Sequence, residues 1–297
     1  MSQLPVAVDL PFAAPAAAIA LEAGALIREF YDRGVATEYK TDVDLVTEAD
    51  RTSEKLIVER LHASFPGFGI YGEEGTRDQI DREYRWYVDP LDGTTNFAHR
   101  FPVFCVSLGL GHRPAGVAPG QDGVLTAGVI YDPMRDELFV AEKGKGAYLN
   151  GKKIHVSGTD DLAESLMATG FPSRSRHQNP NIHFYQQITL RSHGVRRAGS
   201  AALDLAYTAC GRFDGYWEFN LNPWDTSAGA LLVLEAGGTM TDFGGGPFHL
   251  DSREVLATNS LIRQEVTTLF QNMFAGRELE PIPTPQVFAA KRAKRGR

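Results

Sequence analysis

The sequence has little cysteine, since only Cys105 and Cys210 occur among its 297 residues. Two cysteines cannot build the disulfide framework of a small secreted domain, and with no suitably spaced histidines they do not form a zinc site. Each lies in a run of apolar or small residues. This usage favours a reducing compartment, and we expect a cytoplasmic protein.

Long hydrophobic runs are also missing. No uninterrupted apolar stretch reaches the roughly 20 residues of a membrane-spanning helix, so no membrane association is expected. The alanine-rich run 13–25 follows Asp9 rather than a basic residue and contains Glu22, which argues against a signal peptide. Its apolar residues repeat at helical spacing and predict an amphipathic helix that ends near Gly34.

Basic residues dominate only the C-terminal end. The formal net charge is −7, but residues 281–297 hold five basic residues and no acid, which leaves −12 for residues 1–280. An acidic body argues against general nucleic-acid binding, whereas an anionic substrate remains compatible with it because metal ions can reverse the local field. We interpret residues 281–297, with three prolines and no periodicity, as a flexible basic tail.

Apolar periodicity in the first half predicts a sheet packed under two helices. The second helix is expected over 48–64 and is stopped by Pro66-Gly67. Strand patterns follow, and Asn150-Gly151 is typical of a hairpin turn. The predicted strands are 85–88, 103–110, 124–131, 138–142 and 147–149, and the sheet is expected to be largely antiparallel.

The pattern changes near Val156. Short strands are predicted over 166–170, 195–197 and 215–219, and helices over 200–210, 224–236 and 260–274. This change predicts an α/β (α+β) chain with two subdomains, residues 1–155 with the functional loops and residues 156–280, followed by the tail 281–297.

Acidic residues at the ends of predicted elements suggest the chemistry. They lie after a strand, around a Pro-Leu dipeptide and at a helix start: Glu73, Glu74, Asp89, Asp92 and Asp225. Neighbouring acids repel one another unless a cation neutralises them. Oxygen ligands without cysteine or histidine indicate a hard cation such as Mg²⁺.

The spacing of Asp89 and Asp92 is informative. The proline between them fixes φ and predicts a turn at the strand end, so both aspartates can face one point with the Leu91 carbonyl between them. A helix or tight turn beginning at Gly93-Thr94-Thr95 would aim free N–H groups at the same place. Metal ions and anion donors at one point are what phosphoryl transfer to water requires.

Each of these residues has an ordinary structural explanation when it is taken alone. Asp50 completes Thr47-Glu48-Ala49-Asp50, the pattern of a capping box. Asp225 is a common kind of helix N-terminal residue, and Glu73-Glu74 is typical of an exposed loop. Their combination around Pro90 favours the functional interpretation.

Over residues 86–102 the sequence resembles the first metal-binding signature of the inositol monophosphatase family: Trp86-Tyr87-Val88-Asp89-Pro90-Leu91-Asp92-Gly93-Thr94-Thr95-Asn96-Phe97, continued by His99-Arg100-Phe101-Pro102. Three further elements are similar to the second signature, the preceding acidic element and the N-terminal threonine–aspartate element of that family: Trp224-Asp225 with Glu235-Ala236-Gly237-Gly238, Gly72-Glu73-Glu74, and Leu45-Val46-Thr47-Glu48-Ala49-Asp50. The resemblance covers roughly residues 15–275.

The resemblance implies the layered αβαβα sandwich of the sugar phosphatases and two or three Mg²⁺ ions. The first ion would be held by Glu73, Asp89 and the Leu91 carbonyl. The second would be held by Asp89, Asp92 and Asp225, and a third, weaker ion would touch Glu73 through water. Glu73 and Thr94 would position the attacking water, with Asp50 orienting Thr94.

The resemblance also implies the substrate contacts. The amides of Gly93 and Thr94 would bind the phosphate, and Asp92, Glu218 and Gly199-Ser200-Ala201 would contact the polyol. Glu74 and Lys40 would support the metal-binding loops. Three departures from the family pattern occur: Ser227 replaces a usual alanine, the stretch 40–44 is about one residue short, and the basic tail is additional.

The expected function is therefore Mg²⁺-dependent hydrolysis of myo-inositol monophosphate, sensitive to lithium, by a homodimer. The same family includes phosphatases for histidinol phosphate, fructose 1,6-bisphosphate and 3′-phosphoadenosine nucleotides, but the 86–102 run and Glu218 favour inositol monophosphate. Some bacterial relatives bind RNA or transcription complexes. The Lys291–Arg297 cluster could serve such a role, although a solvated tail is the favoured interpretation.

Overall fold

The computed structural model describes residues 4, 8–34, 37–39, 45–114, 123–171, 179–277 and 279–281. Its first layer contains α1 (Ala13–Arg33) and α2 (Glu48–Ser64), and a small ribbon of β1 (Thr37–Tyr39) and β2 (Leu45–Thr47) lies before α2. Gly34, with a φ of 77°, follows α1 as predicted. Glycine adopts this left-handed conformation without the steric cost that a Cβ brings.

An eight-stranded sheet forms the second layer. Its strands are β3 (Gly69–Gly72), β4 (Arg77–Asp78), β5 (Tyr84–Asp92), β6 (Cys105–His112), β7 (Val124–Asp132), β8 (Glu137–Glu142), β9 (Gly146–Leu149) and β10 (Lys152–Ile154). They are ordered β10-β9-β8-β7-β6-β5-β3-β4. Every neighbouring pair is antiparallel except β3 and β5, as the sequence predicted for most of this sheet.

A five-stranded sheet forms the fourth layer. It contains β11 (Leu166–Thr169), β12 (Gly194–Arg196), β13 (Gly215–Phe219), β14 (Thr239–Thr241) and β15 (Glu254–Thr258). The order is β12-β11-β13-β15-β14, with the first three strands parallel and the other pairs antiparallel.

Helices fill the layer between the sheets and cover the outer face. Between the sheets, α5 (Ala201–Ala209) and α6 (Pro223–Glu235) bury Leu205 and Leu231 in one core with Ile130 of the first sheet. On the outer face of the second sheet, α4 (Asn181–Thr189) and α7 (Arg263–Phe274) pack Phe184 and Phe270 against it. The αβαβα sandwich expected from the resemblance is therefore present.

Some elements escaped the sequence analysis. Helix α4 was missed because its buried face includes Asn181 and Gln187, which interrupt the apolar periodicity. Strands β14 and β15 were missed because periodicity does not identify such short apolar runs. The predicted division into subdomains at 155/156 stays a prediction. Helices α5 and α6 pack against both sheets and so connect the two predicted parts. In the described part of the chain, no helix is long and apolar enough to cross a membrane.

Candidate active site

The segment from Asp89 to Asp92 lies at the end of β5 and is bulged. The strand predicted over 85–88 was too short, because β5 continues to Asp92 with its register shifted against β6 between Asp89 and Asp92. Proline cannot donate a ladder hydrogen bond, which suits it to such an irregularity. The Leu91 N–H donates to Asp89 Oδ1 at 3.0 Å, and the Pro90 carbonyl accepts from Ser53 Oγ at 3.0 Å.

Gly93 turns the chain from β5 into the short helix α3 (Thr94–Ala98). Its φ is 96°, and a Cβ there would lie 2.8 Å from the carbonyl oxygen of Val103. A larger residue would therefore be strained and crowded at this position. Of the two alternatives at Gly93-Thr94-Thr95, a helix or a tight turn, the helix is confirmed. It places Thr94 directly after the bulge.

Thr94, Asp50 and Thr47 form a hydrogen-bonded chain. Asp50 is fully buried and, as the third residue of α2, completes its capping box by accepting from Thr47 N at 2.8 Å and Thr47 Oγ1 at 2.6 Å. Thr94 Oγ1 lies 3.0 Å from Asp50 Oδ1 and 3.1 Å from the Leu91 carbonyl oxygen. One hydroxyl proton serves only one acceptor at a time, so Asp50 can orient it.

Glu54 holds the loop that carries Glu73, a role the sequence analysis missed. This buried carboxylate accepts from Glu74 N at 2.7 Å, Thr76 N at 3.1 Å and Thr76 Oγ1 at 2.6 Å. A Cβ on Gly72 would lie 2.5 Å from its Oε2. The available signal was its position four residues after Asp50, which puts both acids on one face of α2.

Asp225 is the third residue of α6 and caps that helix. Its Oδ2 accepts from Asn222 N at 2.7 Å and from Asn222 Nδ2 at 3.2 Å. The ordinary explanation of this residue as a helix-start acid is thus correct for one oxygen. The cap also holds the carboxyl beside the other acids, and burial, followed by the charges of Glu73 and Asp92, raises the pKa of Asp225.

Four acids therefore converge: Glu73, Asp89, Asp92 and Asp225. Asp89 is only 1% exposed, and burial followed by the charges of Glu73, Asp92 and Asp225 raises its pKa well above the usual range. Burial raises the pKa of Asp92 and of Asp225 as well. In the described ranges no three Asp, Glu, His or Cys side chains already stand at metal-binding spacing. The case for a cation rests on this shared burial and repulsion.

The first turn of α5 binds one oxygen of Asp92. Oδ2 accepts from Ser200 Oγ at 2.6 Å and from Ala202 N at 2.8 Å, and the thiol of Cys105 lies 3.9 Å away. These donors offset part of the burial that raises the pKa of Asp92. The Ser200 hydroxyl, itself buried, is thus turned to the carboxylate, while Gly199 is exposed beside it.

Glu218 lies on β13 and faces the same acids. Burial and the charge of Asp92 raise its pKa to about 7, against the lowering effect of a 2.6 Å hydrogen bond from the Tyr216 hydroxyl to its Oε2. A Cβ on Gly170 would lie 1.9 Å from Oε2, so this glycine leaves room for the carboxyl. Nearby, Asp204 is 1% exposed and its Oδ1 has no hydrogen-bond partner.

The structure thus brings most of the predicted site residues to one end of the first sheet, although none of their roles is tested by it. Hydrogen bonds join Asp50 to Thr94, and separately join Asp92 to Ser200 and to the Ala201 backbone. Charge effects connect Glu73, Asp89, Asp225 and Glu218. Glu74 contributes its N–H to Glu54. Lys40 and residues 282–297 of the basic tail lie outside the described residues.

Known proteins match the chain over nearly its whole length. The profile described as the inositol monophosphatase family matches residues 10–273. An inositol-1-monophosphatase of Synechocystis sp. is 46% identical over 75% of this chain and 76% of its own length. The Nus factor SuhB of Pseudomonas aeruginosa is 40% identical over 85% and 93% of the two chains.

Solved structures agree. The inositol monophosphatase of Anabaena (Nostoc) sp. PCC 7120 superimposes with a TM-score of 0.78 at 40% identity, covering 91% of this chain and 97% of that one. The extragenic suppressor protein suhB of Bartonella henselae gives a TM-score of 0.80 at 38% identity, with 87% and 97% covered.

Proposed function

This chain belongs to the inositol monophosphatase family, and from that premise we propose that it is a Mg²⁺-dependent phosphomonoesterase that hydrolyses myo-inositol monophosphate to inositol and phosphate. The observation that carries the proposal is the convergence of four acids around buried Asp89, beside the Thr94–Asp50 pair. Repelling carboxylates in a buried place are costly unless a cation binds them.

The residues present suit Mg²⁺. All donors are oxygens, and the ligands would be Glu73, Asp89 and the Leu91 carbonyl for one ion, and Asp89, Asp92 and Asp225 for a second. A third ion would lie near Glu73. When bound, Mg²⁺ supplies charge stabilisation and a more acidic water.

The chain's own groups would align the reaction. Thr94 Oγ1, oriented by Asp50 Oδ1 at 3.0 Å, can hold a water with Glu73 on the side of the phosphate away from the leaving oxygen. The N–H groups of Gly93 and Thr94 would bind phosphate oxygens. Because Asp92 Oδ2 is occupied by α5, its Oδ1 is the oxygen that can serve the site.

Substrate selection is assigned to the second sheet. Glu218 would accept a hydrogen bond from a polyol hydroxyl, and the exposed backbone at Gly199 would meet the ring. This assignment favours inositol monophosphate over the alternatives named above. Fold membership does not choose among them.

Phosphate release from a substrate panel tests the proposal. The panel is inositol 1-phosphate, histidinol phosphate, fructose 1,6-bisphosphate and 3′-phosphoadenosine 5′-phosphate, each in Mg²⁺ and again with EDTA. Preference for inositol 1-phosphate that EDTA abolishes is the expected result. Preference for another ester would overturn the substrate only, and lithium inhibition and a dimeric mass by light scattering check the remaining expectations.

The names of several relatives support a second proposed function, binding to a transcription complex. Several proteins 38–41% identical to this chain are called Nus factor SuhB or putative Nus factor SuhB. We propose, as the alternative, that this chain also binds a transcription complex through residues 281–297. A chain ending at Glu280 would then lose nucleic-acid binding and keep phosphate release, whereas no change in either would remove the alternative.

A further inference from the structure

The start of strand β5 gathers three arginines around one cleft. Arg82 precedes the strand, Arg85 lies on it, and Arg113 follows the paired strand β6. The cleft is small and partly open to solvent, and it is lined in addition by Ile80, Glu83, Tyr87, Gly111 and Gly123. The cluster is unrelated to the acids described above and needs its own explanation.

Neutral groups hold Arg85 in place. Its Nη1 donates to the Ile80 carbonyl oxygen at 3.1 Å and its Nη2 to the Tyr87 hydroxyl at 2.5 Å. Its Nε is buried and has no hydrogen-bond partner. A buried N–H without an acceptor is unfavourable, so an oxygen that reached this atom would stabilise the arginine.

The other two arginines are also held by neutral groups. Arg82 donates to Gln79 Oε1 from Nε at 2.8 Å and from Nη2 at 2.6 Å, and Arg113 donates to the carbonyl oxygen of Asp81. Among the residues that the structure describes, no carboxylate forms an ion pair with any of the three arginines. Their remaining N–H groups are thus not taken up by an acid of this region.

One acid faces the cleft and is engaged elsewhere. Glu83 Oε1 lies 2.8 Å from His112 Nε2, and the Glu83 side chain is 64% exposed. A single exposed carboxylate does not balance three guanidinium groups. Arginine stays protonated in proteins, so the repulsion cannot be relieved by losing a proton, whereas a bound anion would lower it.

The opposite strand leaves space at this point. Arg85 pairs with Gly111 across β5 and β6, and a Cβ on Gly111 would lie 3.1 Å from Tyr87 Cε2. Because glycine has no side chain, the tyrosine ring and the guanidinium can lie flat over β6. The backbone of the sheet at Gly111 therefore forms the floor of the cleft, and no side chain of that residue covers it.

We propose that this cleft binds a phosphate dianion, as free phosphate or as the phosphoryl end group of a small organic molecule. The planar fork of arginine donates paired hydrogen bonds to phosphate oxygens, and three forks around one cleft match a doubly charged tetrahedral ion. Arg85 precedes Asp89 by four residues, about 13 Å along the strand. The cleft is therefore separate from the candidate active site.

Calorimetric titration of the full chain with inorganic phosphate tests this proposal. The titration is made in EDTA, because four carboxylates without a cation repel phosphate and leave the arginine cleft as the binding place. One saturable site is expected. A parallel titration with methylphosphonate distinguishes the sources: equal binding indicates an organic end group, and binding of phosphate alone indicates the free ion.

Two variants locate the site. Arg85→Gln and Arg82→Gln should each weaken phosphate binding at least tenfold, and Arg82 is exposed, so its replacement tests the site even if Arg85→Gln fails to fold. Arg60→Gln is the matched control, since Arg60 pairs with Glu22 on a distant surface. Absence of saturable binding in the wild type, or unchanged binding in Arg82→Gln, would overturn the proposal. Mg²⁺-dependent phosphate release, measured separately, is expected to be unchanged in Arg82→Gln.

Discussion

Strand β5 carries Arg85 near its start, beside two further arginines, and Asp89 near its end, among three further carboxylates. A carboxyl group that is buried with like charges can bind a proton, and the raised pKa of Asp89 reflects that. A guanidinium group cannot reduce its charge in this way, because arginine stays protonated in proteins. Asp89 can therefore be buried almost completely, whereas the arginines stay partly open to solvent.

The supports of the two ends differ as well. The acids are held by ordered donors from separate elements, such as the Ser200 hydroxyl on Asp92 and the Asn222 N–H on Asp225. The arginines are held by backbone carbonyls and neutral side chains of their own neighbourhood. The comparison indicates a deep site assembled for small cations and a shallow site suited to an exchangeable anion.

The largest expected effect is on phosphate release, and it should follow from a change at the acidic end of β5 alone. Asp92→Asn should lower phosphate release from inositol 1-phosphate by at least about 100-fold, because the amide lacks the charge that a bound cation needs. The amide oxygen can take the place of Oδ2 and accept from Ser200 and Ala202, so the fold should persist. Initial rates in Mg²⁺ measure the effect, with exposed Asp251→Asn as the control.

Phosphate binding at the arginine cleft should be unchanged in Asp92→Asn. Wild-type turnover in this variant would contradict the assignment of Asp92 as a cation ligand. Loss of phosphate binding in EDTA would instead show that the two ends are not independent.

The second prediction uses pH and concerns Glu218 at the acidic end. Glu218 has an ordinary pKa of 4.5 that rises to about 7 in the folded protein. The folded state therefore binds this proton more tightly, so its contribution to stability is complete below pH 4.5 and is lost as the pH rises towards 7. The loss amounts to at most about 3 kcal/mol.

Urea unfolding in EDTA across this pH range measures the change. Glu218→Gln should flatten the decline, because the amide does not titrate, while Arg82→Gln should leave it as it is. A decline of equal steepness in wild type and Glu218→Gln would show that other groups, such as Asp89, carry the effect.

The third prediction weakens the support of the acidic end without removing an acid of the cluster. Glu54→Gln replaces one accepting oxygen by an amide donor and leaves part of Glu74 N, Thr76 N and Thr76 Oγ1 without an acceptor. Stability should fall by about 1–3 kcal/mol. Phosphate release should fall by about tenfold, since a small misplacement of Glu73 is costly to rate.

Glu59→Gln is the matched control, because Glu59 is exposed on the same helix. Equal stability and rate in the two variants would remove the positioning role of Glu54. Phosphate binding in the arginine cleft should be unaffected in both.

The smallest expected effect is on the free energy of unfolding, and it comes from a change at Ser227, which packs between the acidic and arginine ends of β5. Ser227 is buried, its hydroxyl has no hydrogen-bond partner, and it packs on Gly109, which pairs with Tyr87 in mid-strand. Ser227→Ala should therefore raise the free energy of unfolding by about 1 kcal/mol. Denaturant unfolding measures it, and a destabilised variant would show that the hydroxyl has a partner such as water.

Local sequence predicted much of the fold because its signals are local. Helix α2 begins and ends at the predicted residues, since Thr47 and Asp50 cap it and its apolar spacing is regular. The hairpin at Asn150-Gly151 formed as expected, with both residues at positive φ. Helix α4 shows the opposite case, because a buried face with polar residues carries no such signal.

The candidate site was predictable only in part for the same reason. The run from Asp89 to Thr94 is contiguous, so its chemistry could be proposed from spacing. The role of Glu54 could not be predicted from spacing, because its hydrogen-bond partners lie about 20 residues away in a loop whose position depends on β3. The arginine cleft was missed because Arg113 joins Arg85 only through the pairing of β5 with β6.

The sequence by itself determined the residue types and the short-range geometry: oxygen ligands without histidine, a glycine where φ is positive, and helix caps at fixed spacing. Only the tertiary structure decided which charges meet. Asp92 is bound by Ser200, 108 residues later, and Asp89 is buried beside acids from two other segments, Glu73 and Asp225. Burial and sheet register are properties of the whole packed chain, and they turn scattered charges into two opposite clusters on one strand.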